Sequence, residues 1–194
     1  MTSICPYCNN DTGKVITMKK KCPVCTKVIF VRNGKVVTDE EKFIIDWQKY
    51  MDFMVPDIEA LRFDVEKTLK ARFGKEPGAP DLIWGMFNQI LLKLSDPWDL
   101  SIIYRNMAKF RQSEGNKDAY IKLMKTAMCL EVRDSAEKGW ANNIVIKNID
   151  DGLVCDECKI INGKIYPVKE ALANFPLPHN KCTSDACRCT YLTK

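Results

Sequence analysis

The sequence predicts an α+β protein in three parts, and three observations predict it. Paired cysteines between residues 5 and 25 lead into β-branched runs broken by Asn33-Gly34. Apolar residues then recur at helical spacing from about residue 39 to 138, and after Gly139 the period shortens around a second group of cysteines. At 194 residues, 46% hydrophobic and 28% charged, the chain can bury a sizeable core and has the composition of a globular protein.

The first part is residues 1–38. Cys5-Pro-Tyr-Cys8 and Cys22-Pro-Val-Cys25 are separated by thirteen residues. The x-x spacing puts both sulfurs of each pair on one side of a tight turn, which proline stiffens by fixing its backbone angle. Two such knuckles let four thiolates converge on one tetrahedral ion, the pattern of structural zinc; a redox pair or disulfides are the alternative. Four protein ligands leave no position open for water, so the metal is expected to be structural. Asn9 and Thr26 occupy the places after each second cysteine where glycine would carry a positive φ easily. Asn33-Gly34 between Val28–Val31 and Lys35–Thr38 predicts a hairpin, with Lys14–Thr17 expected as an additional strand. The expectation is a zinc ribbon.

The second part, residues 39–139, is expected to be a helical bundle. Thr38 with Glu41 fits a capping box, and Phe43, Ile44, Trp47, Tyr50, Met51 and Met54 follow until Pro56. Ile58, Leu61, Val65, Leu69 and Phe73 recur at steps of three and four and are closed by Gly74. After a turn-rich stretch a helix is expected over 81–94. Asp96-Pro97 caps another that ends near Gly115, and the last runs over about 117–138. Cys129 lies in an apolar helical stretch, where a buried free thiol is the ordinary reading.

The third part, residues 140–194, reads as a small α+β module. Ile144–Ile146 and Lys164–Tyr166 predict strands about an Asn162-Gly163 turn, 168–174 a short helix, and the stretch from Cys189 a third strand. Its candidate ligands are Cys155, Cys158, His179, Cys182, Cys187 and Cys189, six for a four-coordinate ion. Cys155 and Cys158 form the clearest pair; Cys182 and Cys187 are preferred for the other, with Cys189 next and His179 last. A second structural zinc is expected here. The alternative is that Cys187 or Cys189 is a nucleophile activated by Arg188 or His179, since positive charge lowers a thiol pKa.

The formal charge of +5 is uneven. Residues 1–38 carry seven Lys and Arg against Asp11, a surplus of +6, so the remainder sums to −1. A four-thiolate zinc adds back two negative charges relative to neutral thiols and weakens that surplus without removing it. Lys19, Lys20, Lys21 and Arg32, with Tyr7 and Phe30 nearby, are candidate nucleic-acid contacts, because lysines hold phosphates and exposed aromatics stack on bases. A solvated lysine loop is the plainer alternative. With one histidine and no P-loop, GxGxxG, GxSxG or HExxH motif, the chain is expected not to be an enzyme. The acidic pair Asp39-Glu40 fits the opening turn of a helix, while Asp150-Asp151 and Asp156-Glu157 read as solvated loops.

The first 40 residues, with two CPxC knuckles and the run VIFVRNGKVVT, resemble the rubredoxin-type zinc ribbons that head many uncharacterised bacterial and phage-borne proteins. The tail, with Cys155-Asp-Glu-Cys158, Asn162-Gly-Lys-Ile-Tyr166 and Pro178-His-Asn through Cys187-Arg-Cys-Thr190, resembles the C-terminal cysteine motif of tailed-phage minor-head (head-morphogenesis) proteins. In that family a His-Pro-Asn-Cys-Arg-Cys run is continuous; here Thr183–Ala186 separates Cys182 from Cys187. The resemblance implies a protein-binding role in phage or mobile-element assembly. The expectation is therefore a non-enzymatic, zinc-stabilised adaptor holding two structural zinc ions, its partner a protein assembly or nucleic acid through residues 1–38. The opening residues carry no basic or apolar leader and no apolar run approaches the ~20 residues of a membrane span. The expected location is cytoplasmic, in a host cell or a phage particle.

Overall fold

The computed structural model describes residues 4–13, 18–51, 54–149, 152, 154–183 and 187–194. Among them it is an α+β fold with seven helices and two small antiparallel sheets, in two compact units, Met1–Gln89 and Ile90–Lys194. No helix among the described residues is long and apolar enough to cross a membrane.

In the first unit, β1 (Lys19–Lys21), β2 (Val28–Arg32) and β3 (Lys35–Val37) form a meander in the order β1-β2-β3. Lys19 faces Phe30 and Phe30 faces Val37, with Asn33 and Gly34 at positive φ in the expected hairpin turn. The strand expected at 14–17 lies outside the described residues. Instead the lysine run itself pairs with β2, although its composition carries no strand signal.

Helix α1 (Asp39–Gln48) opens with the expected capping box, Thr38 Oγ1 accepting from the Glu41 amide at 3.0 Å and Glu41 accepting from Thr38 at 2.7 Å. It packs on β2, tied by Arg32 to Asp46. Helix α2 (Ile58–Phe73) is capped by Asp57 and ends at Gly74, whose φ of 68° is the left-handed cap read from the sequence. Helix α3 (Ala79–Leu91) starts and ends earlier than expected. It crosses α2 at Gly85, where an added methyl would sit 2.6 Å from Val65 Cγ1, so the missing side chain sets how near the helices approach. Trp47 of α1 meets Phe87 of α3 edge-on, ring centroids 6.5 Å apart.

In the second unit, α4 (Pro97–Ser113) begins at the Asp96 cap and Pro97, as expected, and turns through Gly115 into α5 (Lys117–Glu137) to make an antiparallel hairpin. The sheet order is β5-β4-β6, from β4 (Asn143–Asn148), β5 (Ile165–Pro167) and β6 (Cys189–Thr193). Two short helices complete it, α6 (Asp156–Ile161) and α7 (Val168–Ala173). The first was not foreseen: Asp156 and Glu157, read as a solvated loop, form its opening turn, and Asp156 pairs with Lys159 at 2.8 Å. One continuous core runs from Met124, Met128 and Val132 of α5 through Ile144 and Ile146 to Cys158, Cys182 and Cys189. Cys129 packs against that core, where burial raises its thiol pKa.

Candidate metal centres

The two N-terminal knuckles fold alike. Cys5 N–H donates to the Asn10 carbonyl and Asn9 N–H to the Cys5 carbonyl, both at 2.9 Å. Cys22 and Lys27 repeat the first bond at 2.9 Å, and Thr26 and Cys22 the second at 3.0 Å. Each loop closes only if the residue after its second cysteine is left-handed, and Asn9 and Thr26 are, with φ of 57° and 60°. Cys5 and Cys22 are buried with Ile29; Cys8 and Cys25 are half-buried at the rim.

All four Sγ atoms lie within 4.8 Å of one another, with Cys5 to Cys25 and Cys8 to Cys22 each at 3.7 Å. A tetrahedron with ~2.3 Å from centre to sulfur has edges of ~3.8 Å, so this set fits a four-coordinate ion. Amide donors favour the thiolates. The backbone N–H and then the side chain of Asn10 pull the Cys8 thiol down to about 6, and the N–H of Cys25 leads the lowering at Cys22. Cys25 also receives the Lys27 amide, but burial and its three sulfur neighbours push it up to about 12, since neighbouring thiolates oppose one another's ionisation.

At the other end of the chain Cys155 is the residue before α6 and Cys158 lies in its first turn, so the helix brings both sulfurs to one side. Two mutually close triads form, Cys155 with Cys158 and Cys182, and Cys158 with Cys187 and Cys189. Cys155 to Cys182 is 3.8 Å and Cys158 to Cys187 is 3.9 Å, again near tetrahedral edges. Burial opposes ionisation of Cys155, but the amides of Thr183 and Cys158 outweigh it and bring that thiol down to about 7. Cys158 is pushed far up by burial and by its sulfur neighbours.

Cys189 differs in its partner: its Sγ donates to Asn148 Oδ1 at 3.1 Å, while burial first of all pushes its thiol up to about 12, as burial also raises Cys158. His179, placed last on sequence, belongs to none of the close groups; its Nδ1 accepts from the Lys181 amide at 3.3 Å. The elongated helix α5 holds the late cysteines in place. Lys117 Nζ donates to the Cys182 carbonyl at 2.7 Å, Lys125 to Asn180 at 2.9 Å, and the Cys187 amide bonds the Tyr120 hydroxyl. Asn10, Asn148, Lys117 and Tyr120 were not singled out in the sequence; only Asn10, two residues beyond Cys8, stood close enough to a knuckle to be suspected.

The candidate nucleic-acid residues separate. Lys19 and Lys21 lie on one face of β1, while Lys20 turns its Nζ to the Thr12 carbonyl at 2.9 Å. Arg32 is held by Asp46 through bonds of 2.7 and 3.1 Å, which bring that carboxyl down to about 2. Both clusters could hold metal ions, and comparison of the chain with protein-family models, curated proteins and solved structures finds no match.

Proposed function

We propose that the protein is a non-enzymatic adaptor whose two cysteine centres each hold a structural zinc ion, the first in a zinc ribbon and the second in the C-terminal module. The carrying observation is the N-terminal set, four sulfurs within 4.8 Å with 3.7 Å edges and amide donors behind them. All-sulfur tetrahedral coordination with every position filled by protein is the chemistry of structural zinc, and such a site has no place for a substrate or an activated water. For the second centre the close triad Cys155, Cys158 and Cys182 supplies three ligands in this reading and Cys187, 3.9 Å from Cys158, the fourth, with Cys189 a neighbouring thiol. In this reading zinc fastens loops that present surfaces for binding. The tail's resemblance to minor-head proteins supports a place in a macromolecular assembly.

Elemental mass spectrometry on protein purified without chelator tests the reading. Two zinc per chain are expected, with Cys129 and Cys189 the cysteines outside coordination in the native protein. One zinc would remove the second centre from the proposal, and none would remove both.

A further inference from the structure

A cleft of about 360 Å³ opens on the N-terminal unit, lined by Tyr7, Lys19, Lys27, Val28, Phe30 and Asp39. Tyr7, 36% exposed, stands in the first knuckle between Cys5 and Cys8, and its hydroxyl accepts from the Asp39 amide at 3.3 Å, which fixes the ring against the start of α1. Lys27 Nζ lies 4.6 Å from the Tyr7 ring centroid and Lys19 Nζ 6.0 Å from that of Phe30. Lys21, two residues along the same strand, faces Val28 across the sheet and shares that side. The cleft thus combines two rings with ammonium groups at their faces, in the segment that carries the chain's positive surplus.

We infer that this cleft is a binding site for single-stranded nucleic acid, with Tyr7 and Phe30 as stacking platforms and Lys19, Lys21 and Lys27 as phosphate contacts. Its volume takes about one nucleotide, and a base on either ring puts its phosphate within reach of the adjoining amine. An acidic peptide would meet the lysines and leave the rings unused. A duplex keeps its bases stacked on each other and could not reach them. Lys20 and Arg32 bond Thr12 and Asp46, so the contact surface lies at the aromatic knuckle beside them. It rests on the proposed zinc ribbon, which holds Tyr7 and Lys27 in position.

The test is fluorescence anisotropy of full-length, zinc-loaded protein with a labelled oligothymidine of about 15 nucleotides, a length within the range that small binding folds cover. Affinity is expected to fall linearly in log–log with salt, and Lys27→Ala to lower that slope by ~0.7. Tyr7→Ala is expected to weaken binding about tenfold, the loss of one stacked base. Lys20→Ala is expected to change little, and Asp39→Asn to tighten binding by removing the carboxylate at the lip. Zinc content is measured on every variant, so loss of metal reports failure of the ribbon and loss of affinity at full zinc reports the cleft. If Tyr7→Ala releases zinc, Lys27→Glu, which changes the side chain and keeps the backbone bonds to Cys22 and Cys25, decides alone. No salt-dependent binding, competition by polyaspartate equal to that of the oligonucleotide, or a Lys27 variant as tight as wild type would overturn the inference.

Discussion

At the scale of single residues, Thr26 bears the clearest strain. A β-branched side chain at φ of 60° is held there because the Thr26 amide must reach the Cys22 carbonyl. The left-handed conformation costs an L-residue ~1–2 kcal/mol, and glycine gives back ~0.5–1 kcal/mol through its freer unfolded chain. Thr26→Gly is therefore expected to stabilise the N-terminal unit by about 0.5–1 kcal/mol, read as tighter zinc retention against a chromophoric chelator. Unchanged or weaker retention would show that Thr26 contributes something its geometry does not reveal. The choice among late cysteines also belongs to this scale. Cys187→Ser is expected to lose the second zinc and Cys189→Ser to keep it, with elemental analysis as the readout; the reverse result would assign Cys189 as the ligand. The knuckles were legible in sequence because each is a local loop whose spacing fixes its shape. The late ligands were not, because Asn148 and Tyr120, which sort Cys189 from Cys187, come from β4 and α5, far off in the chain.

At the scale of elements, caps and periodicity carried the reading. Thr38, Gly74 and Asp96 mark helix ends where their local chemistry said they would. β1 and α6 escaped it: three lysines show no apolar alternation and are strand only because β2 pairs with them, and six residues are too few to display a helical period. Gly85 shows what tertiary packing adds. Alanine there would gain ~1 kcal/mol of helix propensity but meet Val65, and overpacking costs ~1–3 kcal/mol. Gly85→Ala should come out destabilising by about 1 kcal/mol in denaturant unfolding, whereas a gain in stability would mean that α2 and α3 can part at no cost. The join between α1 and β2 is electrostatic. Arg32, then Lys42, lowers the Asp46 carboxyl from 3.8 to about 2, so its contribution is complete above 3.8 and is lost as pH falls toward 2. Thiolates take up protons and release metal before that window is reached. The stability difference between wild type and Asp46→Asn should accordingly be small, because the pair is partly solvated, and flat from about pH 8 to about pH 5. A slope in that range would place the titration on another group.

At the scale of the whole molecule, the two centres stand in units with unequal means of support. Around the first, the buried cluster among the described residues is Cys5, Cys22 and Ile29. Burying one isoleucine supplies ~1.5–3 kcal/mol, while binding of a structural zinc supplies ~10–16 kcal/mol, so under the proposed function the metal would be the core of that hairpin. The second centre borders a core that also includes Tyr120, Met128, Val132, Ile144, Ile146, Phe175 and Leu177, braced by Glu131 accepting from Arg105 and from Tyr191 at 2.7 Å. That core persists when its thiolates lose their ion, because its aliphatic burial does not depend on them. Stripping zinc with a strong chelator should therefore divide the molecule. Hydrogen exchange is expected to become unprotected throughout β1, β2 and β3, to rise locally at α6 and the Cys182 loop, and to stay slow in α4, α5 and β4. Cys22→Ala should reproduce the first change alone, leaving one zinc and native exchange in residues 90–194. Loss of protection in α5 on chelation would mean that the second ion, and not the apolar core, holds the hairpin to the sheet. Protection retained in β2 would mean that the first ion is dispensable, and with it the reading of the ribbon as a metal-built fold.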